Sequence, residues 1–322
     1  MRGHAVSVDG ITLHHPCIQT WERFPVQSDV DLKVTRQLQA RIDAFLVYDL
    51  MHYKEVVAQA WTSILAATYP WVEEQGWLLR EVLLALCLRV LHHRALGNSC
   101  LDFIEYYAGS GELSRAAIGH GLCGLAFDVM YSPDHDALTP EGLRLYLAAL
   151  AGTKPGALIW HGTPCSSFVV LCRSVSLRDE CNDYAGDESR LFVRVGNGLA
   201  AVTALTSFLA DLVGAVPVLE QPLNSCLPMY SLMNCILTFL RCRKFSTYLG
   251  AFEGPTLKPL QLLSTSLLTM KMCRQKPEAW QFDGNGLVTR DSKGFTGRKM
   301  ELKCSEAYTP AFARAVLETF FQ

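Results

Sequence analysis

The sequence predicts an α/β protein with a doubly wound, mostly parallel sheet, and three observations support this prediction. Short apolar segments typical of buried strands alternate with segments of helical period. A glycine-rich turn follows the first of these strands, as in folds that bind nucleotides. The other chemically distinctive residues also follow apolar strands, so the carboxyl edge of one sheet would collect them.

The first strand–helix–strand unit carries the pattern of a cofactor site. Leu101–Tyr106 is a predicted strand, the turn Ala108-Gly109-Ser110-Gly111 lets backbone come close to a ligand, and Glu112–Gly119 is a predicted helix. The apolar run Leu122–Phe127 ends in Asp128, at about the distance beyond the glycines where such folds place a ribose-binding carboxylate. We therefore predict that an adenosine-containing cofactor binds at this turn.

Two later predicted strands are also followed by residues that can take part in catalysis. The predicted strand Ala157–Trp160 leads into a loop with Cys165, and the predicted strand Val216–Leu219 ends in Glu220. A cysteine at the mouth of a cofactor site can be a nucleophile, although a cysteine is more often a small buried hydrophobic residue. A thiolate that adds to carbon 6 of cytosine activates carbon 5, and a carboxylic acid at ring nitrogen 3 assists the addition. The base must then leave its stack.

The remaining segments complete the predicted α/β pattern. They are a turn at 154–156, a helix capped by Thr139 that runs to about Ala151, a polar loop Arg173–Gly186, a long helix Glu188–Val213, a strand or helix at Leu260–Met272, a hairpin-like turn Asp283–Gly286 and a closing helix Pro310–Phe321.

The chain divides into two predicted regions. Residues 1–98 form an irregular lead-in to about Val30, followed by two or three helices, and residues 99–322 form the α/β domain. The part from Arg241 to Cys304 has twelve Lys or Arg against five Asp or Glu. This excess is either a solvated surface or a surface that faces a polyanion such as nucleic acid.

Composition favours an intracellular protein. The formal net charge of −2 gives no global signature of nucleic-acid binding, and the N-terminus lacks a signal-peptide pattern. No uninterrupted apolar run reaches the roughly 18 residues of a membrane span. The twelve cysteines lack paired C-x-x-C spacing, so we predict no metal site and mostly buried thiols in the nucleus or cytoplasm.

Three motifs, in the same order and with similar spacing, resemble those of DNA cytosine-5 methyltransferases. Residues 105–114, EYYAGSGELS, resemble the family's first motif, D-L-F-A-G-x-G-G-L-S. Residues 162–168, GTPCSSF, resemble its nucleophile loop, G-x-P-C-Q-x-F-S. Residues 220–222, EQP, stand where the family has E-N-V or E-N-P. The resemblance covers residues 101–222, a little over a third of the chain.

The resemblance implies a Rossmann-like methyltransferase fold and a role for each matching residue. Cys165 would be the attacking thiolate and Glu220 the base-binding acid. S-adenosylmethionine would be the cofactor, with Asp128 on its ribose and Asp136 on its adenine. The other residues assigned to the cofactor are Tyr107, Ala108, Gly109, Ser110, Gly111 and Pro164.

The acceptor is predicted to be nucleic acid, with DNA favoured over RNA. Ser166 replaces the glutamine of the nucleophile loop and is assigned to the substrate. The family's Q-x-R-x-R motif is not evident, and Arg241, Arg243 and Lys244 are the candidates for its work. Three alternatives stay open: a methyltransferase for RNA or another acceptor, a nucleotide dehydrogenase, which the missing third glycine disfavours, and a non-catalytic nucleic-acid-binding or regulatory module on the same scaffold.

Overall fold

A computed structural model describes residues 99–277 and 307–322, and outside these ranges residue 40 and the backbone of four short strands. The first two strands, β1 (Ala5–Val8) and β2 (Ile11–His14), form an antiparallel hairpin in which Val8 pairs with Ile11. The prediction of an irregular lead-in is therefore wrong for this segment. The two residues between the strands are Asp9-Gly10, a pair that favours tight hairpin loops and that could have predicted this turn.

Six strands form the central sheet, in the spatial order β4-β3-β5-β6-β8-β7. Their bounds are β3 Leu101–Tyr106, β4 Gly124–Phe127, β5 Thr153–His161, β6 Val216–Pro222, β7 Arg243–Tyr248 and β8 Pro259–Ser264. Strands β3 to β6 pair in parallel, whereas β8 is antiparallel to both β6 and β7. The predicted α/β class with a mostly parallel sheet is confirmed.

Residues 99–277 and 307–322 contain six α-helices. They are α1 Glu112–Gly119, α2 Pro140–Ala151, α3 Arg173–Ser176, α4 Leu191–Leu212, α5 Ser231–Phe239 and α6 Pro310–Phe321. Short 3₁₀ turns lie at Pro133–His135, Val170–Cys172, Glu180–Asn182, Leu227–Met229, Leu249–Phe252 and Leu267–Met272. A last hairpin joins β9 (Val288–Asp291) to β10 (Gly294–Gly297).

Helices cover both faces of the sheet because successive strand residues point to opposite sides. On one face, Ile104 and Ile159 pack in a buried cluster with residues of α2, α4 and α5. On the other face, Phe103 and Trp160 pack with residues of α1 and α6. The carboxyl ends of β3 to β6 therefore form one edge between two helical layers, where ligands of such sheets bind.

Strand ends differ from the predicted ones in two places that matter for the site. β5 begins at Thr153, and its pairing with β3 shifts register between Leu101 and Phe103, so the predicted turn at 154–156 is an irregularity within the strand, with Gly156 at φ +79°. β6 continues to Pro222. Glu220 therefore lies inside a strand, opposite Leu262 of β8, instead of after its end.

Other segments differ from the predictions or lie outside the described residues. The predicted polar loop Arg173–Gly186 contains α3 and a 3₁₀ turn, and Leu260–Met272 is divided between β8 and another 3₁₀ turn. Apart from Ala40, which is helical, the predicted helices before residue 98 lie outside the described residues, as does the turn Asp283–Gly286.

Helix α4 is long and apolar enough to cross a membrane by length and composition alone. Its most apolar window has a mean hydropathy of 1.3, and 67% of that window is buried inside the fold. Its residues Ala200, Leu205 and Leu209 belong to the core cluster on one face of the sheet. The burial of α4 is that of a core helix packed against a sheet.

Candidate cofactor and catalytic site

The glycine turn after β3 leaves open space above its backbone. Tyr107, Gly109 and Gly111 have φ angles of 60°, 55° and 72°, in the left-handed region. Glycine adopts such angles without strain, which explains its presence at two of the three positions. A Cβ atom placed on Gly109 would meet no heavy atom within 4 Å. A ligand can therefore approach the backbone of the turn closely.

Asp128 is joined directly to this turn. It follows β4, and its Oδ2 accepts a hydrogen bond from the N–H of Gly109 at 2.8 Å. Its Oδ1 accepts from the N–H of Met130, also at 2.8 Å. The hydroxyl of Tyr131 donates to the carbonyl of Gly109 at 2.9 Å, which holds the turn from the other side. The carboxylate and the turn predicted from the sequence thus lie together.

Asp136 is fixed at the start of α2. Its side chain accepts a hydrogen bond from the N–H of Leu138 at 3.0 Å, and its carbonyl accepts from the hydroxyl of Thr139 at 2.8 Å. A Cβ on Gly142 would lie 1.9 Å from that carbonyl oxygen, so only glycine permits this close approach. Burial raises the pKa of Tyr107, and the charge of Asp136 raises it further, which indicates that Asp136 lies near the glycine turn.

The loop that carries Cys165 lies against the glycine turn. The N–H of Gly162 donates to the carbonyl of Tyr106 at 3.1 Å. A Cβ on Gly162 would lie 3.0 Å from the carbonyl oxygen of Tyr107 and 3.3 Å from the hydroxyl of Tyr308. Cys165 is partly exposed, and the carbonyl of Cys165 accepts hydrogen bonds from the N–H groups of Phe168 and Val169. Its neighbours Pro164 and Ser166 are exposed.

Gln221 holds the start of this loop. Its Nε2 donates to the carbonyl of Thr163 at 2.6 Å, and its Oε1 accepts from the hydroxyl of Ser225 at 2.8 Å. The hydroxyl of Thr163 in turn bonds to that of Thr203 in α4 at 2.8 Å. Gln221 is fully buried, so these bonds face no competition from water. The residue next to Glu220 therefore helps to position the loop of Cys165.

Arg178 braces the far end of the same loop and was not identified from the sequence. It is 1% exposed, and its Nε and Nη2 donate to the carbonyl and hydroxyl of Ser167, both at 2.9 Å. Its Nη1 donates to the carbonyls of Tyr184 and Ala185, and its guanidinium lies 3.7 Å from the ring centre of Phe168. Burial lowers the pKa of Arg178 to about 10, which leaves it charged at neutral pH.

We expect Arg178→Met to lower the free energy of unfolding by about 3 kcal/mol. Methionine fills similar space but leaves several buried carbonyls without donors, and each unsatisfied buried group costs about 1–3 kcal/mol before relaxation. Urea denaturation followed by circular dichroism measures the change. Arg194→Met, at an exposed position of α4, is the matched control and should change stability by less than about 0.5 kcal/mol. Equal stability of the two variants would contradict a bracing role for Arg178.

Glu220 forms a buried hydrogen-bonded group with two aromatic residues. The hydroxyl of Tyr308 donates to Oε2 of Glu220 at 2.9 Å and accepts from the indole N–H of Trp160 at 3.1 Å. Oε1 of Glu220 is buried and has no partner. Burial raises the pKa of Glu220, while Lys258 and the tyrosine hydroxyl lower it in part. The protonated acid therefore persists to higher pH than in water, and one of its oxygens has no hydrogen-bond partner in the fold.

Glu105 is a second buried acid near this group. It lies in β3, fully buried, where Oε2 accepts from the N–H of Ser114 at 3.0 Å and from its hydroxyl at 2.5 Å. Oε1 has no partner. Burial raises the pKa of Glu105 to about 8, and its charge contributes to the raised pKa of Tyr308. A charged residue inside an apolar strand was the sequence signal that could have identified it.

The structure does not bring two of the basic residues assigned to the substrate to this site. Arg243 is the first residue of β7 and pairs with Ser264 of β8, which in turn pairs with Val218 of β6. Val218 lies two residues before Glu220. Arg241 precedes it, exposed, and lies farther toward the opposite edge of the sheet. Lys244 lies on the same strand, but its side chain lines a cavity beside the loop of Cys165.

The cysteines are less buried than predicted. Among the nine in the described ranges only Cys235 is buried, whereas Cys123, Cys181 and Cys273 are exposed. Several of these cysteines lie in loops outside the apolar segments, so fewer thiols are buried than the sequence predicted. Within the described residues no group of three or more His, Cys, Asp or Glu side chains is arranged to hold a metal ion.

Neither a comparison with protein-family models nor a search of curated proteins finds a match for this chain.

Proposed function

We propose that this chain is an S-adenosylmethionine-dependent methyltransferase that methylates carbon 5 of cytosine in nucleic acid, with DNA as the favoured acceptor. The observation that carries the proposal is the contact between three separate motifs at one sheet edge. Gly162, at the start of the loop of Cys165, lies against the carbonyl of Tyr107 in the glycine turn and against Tyr308, which bonds Glu220. Contacts at Gly162 thus link the nucleophile loop to the cofactor-type turn and, through Tyr308, to the acid, which supports a shared site.

The turn and its neighbours fit an adenosine cofactor with a positively charged sulfonium. The space above Gly109 is open, and Asp128 lies beside it with oxygens that can accept further hydrogen bonds from ribose hydroxyls. When bound, S-adenosylmethionine supplies an electrophilic methyl group. The six-stranded sheet, with helices on both faces, is compatible with the Rossmann-like methyltransferase fold that we propose.

The catalytic work is assigned to Cys165 and Glu220. The thiolate of Cys165 forms a bond to carbon 6 of the cytosine ring, and the electron pair of the ring double bond becomes available at carbon 5. Protonated Glu220 donates a hydrogen bond to ring nitrogen 3, which its raised pKa favours. After carbon 5 is methylated, solvent water accepts the proton of carbon 5 and the thiolate departs, which restores the double bond. The target base must leave its stack to enter the site.

We expect Asp128→Ala to weaken binding of S-adenosylmethionine by at least tenfold. The substitution removes both the acceptor for ribose hydroxyls and the hydrogen bond that orients Gly109. Isothermal titration calorimetry measures the dissociation constant. Asp134→Ala, an exposed position in the same connection, is the control and should bind as the unchanged chain does. If Asp128→Ala binds the cofactor as tightly as the control, Asp128 does not contact the ribose.

We expect Tyr308→Phe to lower the rate of methyl transfer by about tenfold without loss of cofactor binding. The variant removes the hydrogen bond that orients Glu220 and that lowers its pKa. The pH above which the rate falls should therefore move upward, a shift that a merely destabilised protein would not show. Single-turnover rates between pH 6 and pH 9 test this. An unchanged pH profile would exclude a positioning role for Tyr308.

One observation favours a non-catalytic nucleic-acid-binding module as the second candidate. Arg241 and Arg243, the candidates for the arginines that activate the base, lie away from Glu220. A module of this kind could retain the cofactor turn without transferring methyl groups. Nuclear or cytoplasmic localisation fits both candidates, and RNA remains the alternative acceptor for the enzyme.

A further inference from the structure

A cavity of about 360 Å³ lies beside the proposed catalytic site and is not lined by Cys165 or Glu220. Its walls come from the segment that follows the loop of Cys165, from the segment 223–229 that follows β6, and from strands β7 and β8. This volume is within the range of about 300–1,000 Å³ that small-molecule sites occupy. The cavity therefore has room for a ligand of its own, next to the proposed target base.

The charge of the cavity favours an anion. Arg173, Arg178 and Lys244 line it, and none of its described lining residues is Asp or Glu. The N–H groups of Arg178 already donate to protein carbonyls and a hydroxyl. Arg178 therefore offers a ligand in the cavity positive charge more than hydrogen bonds. Arg173 and Lys244 are exposed, and within residues 99–277 and 307–322 neither has a carboxylate within salt-bridge distance. Nε of Arg173 donates to the carbonyl of Arg178 at 3.2 Å, so its terminal N–H groups and the ammonium of Lys244 are the groups proposed for a phosphate.

Two further features of the cavity indicate which chemical groups, besides a phosphate, the ligand has. The hydroxyl of Ser176, which lines the cavity, is buried at 1% exposure and has no hydrogen-bond partner, a state that a bound polar group would relieve. Val170 and Met229 line the same cavity and are 40% and 52% exposed. Apolar side chains of this size can cover the face of a base. Cations for a phosphate, a hydroxyl for a polar group and apolar side chains for a base together fit a nucleotide.

We propose that this cavity binds one nucleotide, with its phosphate on Arg173 and Lys244, its base on Val170 and Met229, and a polar atom on Ser176. The inference rests on the proposed function in one respect: a strand that places cytosine at Cys165 would place a neighbouring nucleotide here. Its phosphate contacts position the strand and do not read its sequence.

The test uses a fluorescently labelled ten-nucleotide thymidine strand, which contains no cytosine, and measures its binding to the full chain by anisotropy without cofactor. The double variant Arg173→Gln/Lys244→Gln should bind at least tenfold more weakly. It should also reduce the slope of log affinity against log salt by about 0.7, since the two cations together neutralise one single-strand phosphate. The control is Arg194→Gln/Lys271→Gln, two exposed cations outside the cavity, which should bind within about twofold of the unchanged chain.

Ser176→Ala provides a second readout. Because the buried hydroxyl has no partner in the free protein, the variant should unfold at the same or a higher temperature while binding the strand about fivefold more weakly. Displacement of the strand by thymidine monophosphate would identify a free nucleotide as a sufficient ligand, and lack of displacement would identify a strand as the source. Equal binding by the cavity variants and the control overturns the proposal. Absence of methyl transfer with intact binding overturns the proposed function alone.

Discussion

Cys165→Ala should abolish methyl transfer, with a loss on the order of 10³-fold or more, and should leave cofactor binding unchanged. The thiolate is the only group assigned to form the bond to carbon 6, and without this addition carbon 5 remains a poor nucleophile. The measurement is transfer of labelled methyl from S-adenosylmethionine to cytosine-containing DNA under single-turnover conditions. Cys165→Ser should be equally inactive because a hydroxyl ionises far less readily than a thiol.

The matched control for this experiment is Cys172→Ala, seven residues along the chain and also partly exposed. It should retain most of the activity, because Cys172 does not belong to the proposed nucleophile loop. A strand that contains 5-fluorocytosine should become covalently linked to the unchanged chain and to Cys172→Ala, but not to Cys165→Ala. Full-rate transfer by either Cys165 variant would show that the thiolate mechanism is wrong.

Glu105 should make stability fall as pH rises. Its folded-state pKa of about 8 lies above the ordinary value of 4.5, so the folded protein binds the proton more tightly than the unfolded chain. The contribution of Glu105 to the free energy of unfolding is complete below pH 4.5 and is lost as pH rises toward 8. Relative to Glu105→Gln, which does not titrate, the unchanged chain should lose about 4 kcal/mol between pH 5 and pH 8.

Urea denaturation at several pH values measures this difference directly. Glu318→Gln, at an exposed position of α6, is the control, and its stability should follow that of the unchanged chain throughout. Subtracting the Glu105→Gln curve removes the contributions that other titrating groups make to both proteins. Parallel curves for the unchanged chain and Glu105→Gln would show that Glu105 is charged in the fold at neutral pH.

Local signals predicted the helices α1, α2, α4 and α6 and the glycine turn, but not α3 or α5. The bounds of α1 and α6 agree with the predicted ones, since α6 has Thr309 as its cap and Pro310 in its first turn. The pairing of Gly109 with Asp128 followed from the spacing of a strand–helix–strand unit. These features depend on residues close together in the chain, which is why sequence patterns reveal them.

Contacts between distant residues escaped prediction. Tyr308 lies 88 residues from Glu220, and nothing in its neighbourhood indicates that it would bond a buried acid. Arg178 lies in a segment predicted to be a polar loop, yet the fold buries its guanidinium. The position of β8, antiparallel between β6 and β7, likewise depends on which strands meet in space. Periodicity describes each strand singly and leaves their order open.

The central claim is that Cys165, Glu220 and the glycine turn together methylate cytosine, and one measurement tests it most directly. The full chain is incubated with labelled S-adenosylmethionine and separate pools of DNA, transfer RNA and protein, with Cys165→Ala in parallel. We predict label in the DNA pool, at carbon 5 of cytosine, and none with Cys165→Ala. Label confined to the protein pool, or equal labelling by Cys165→Ala, would contradict it.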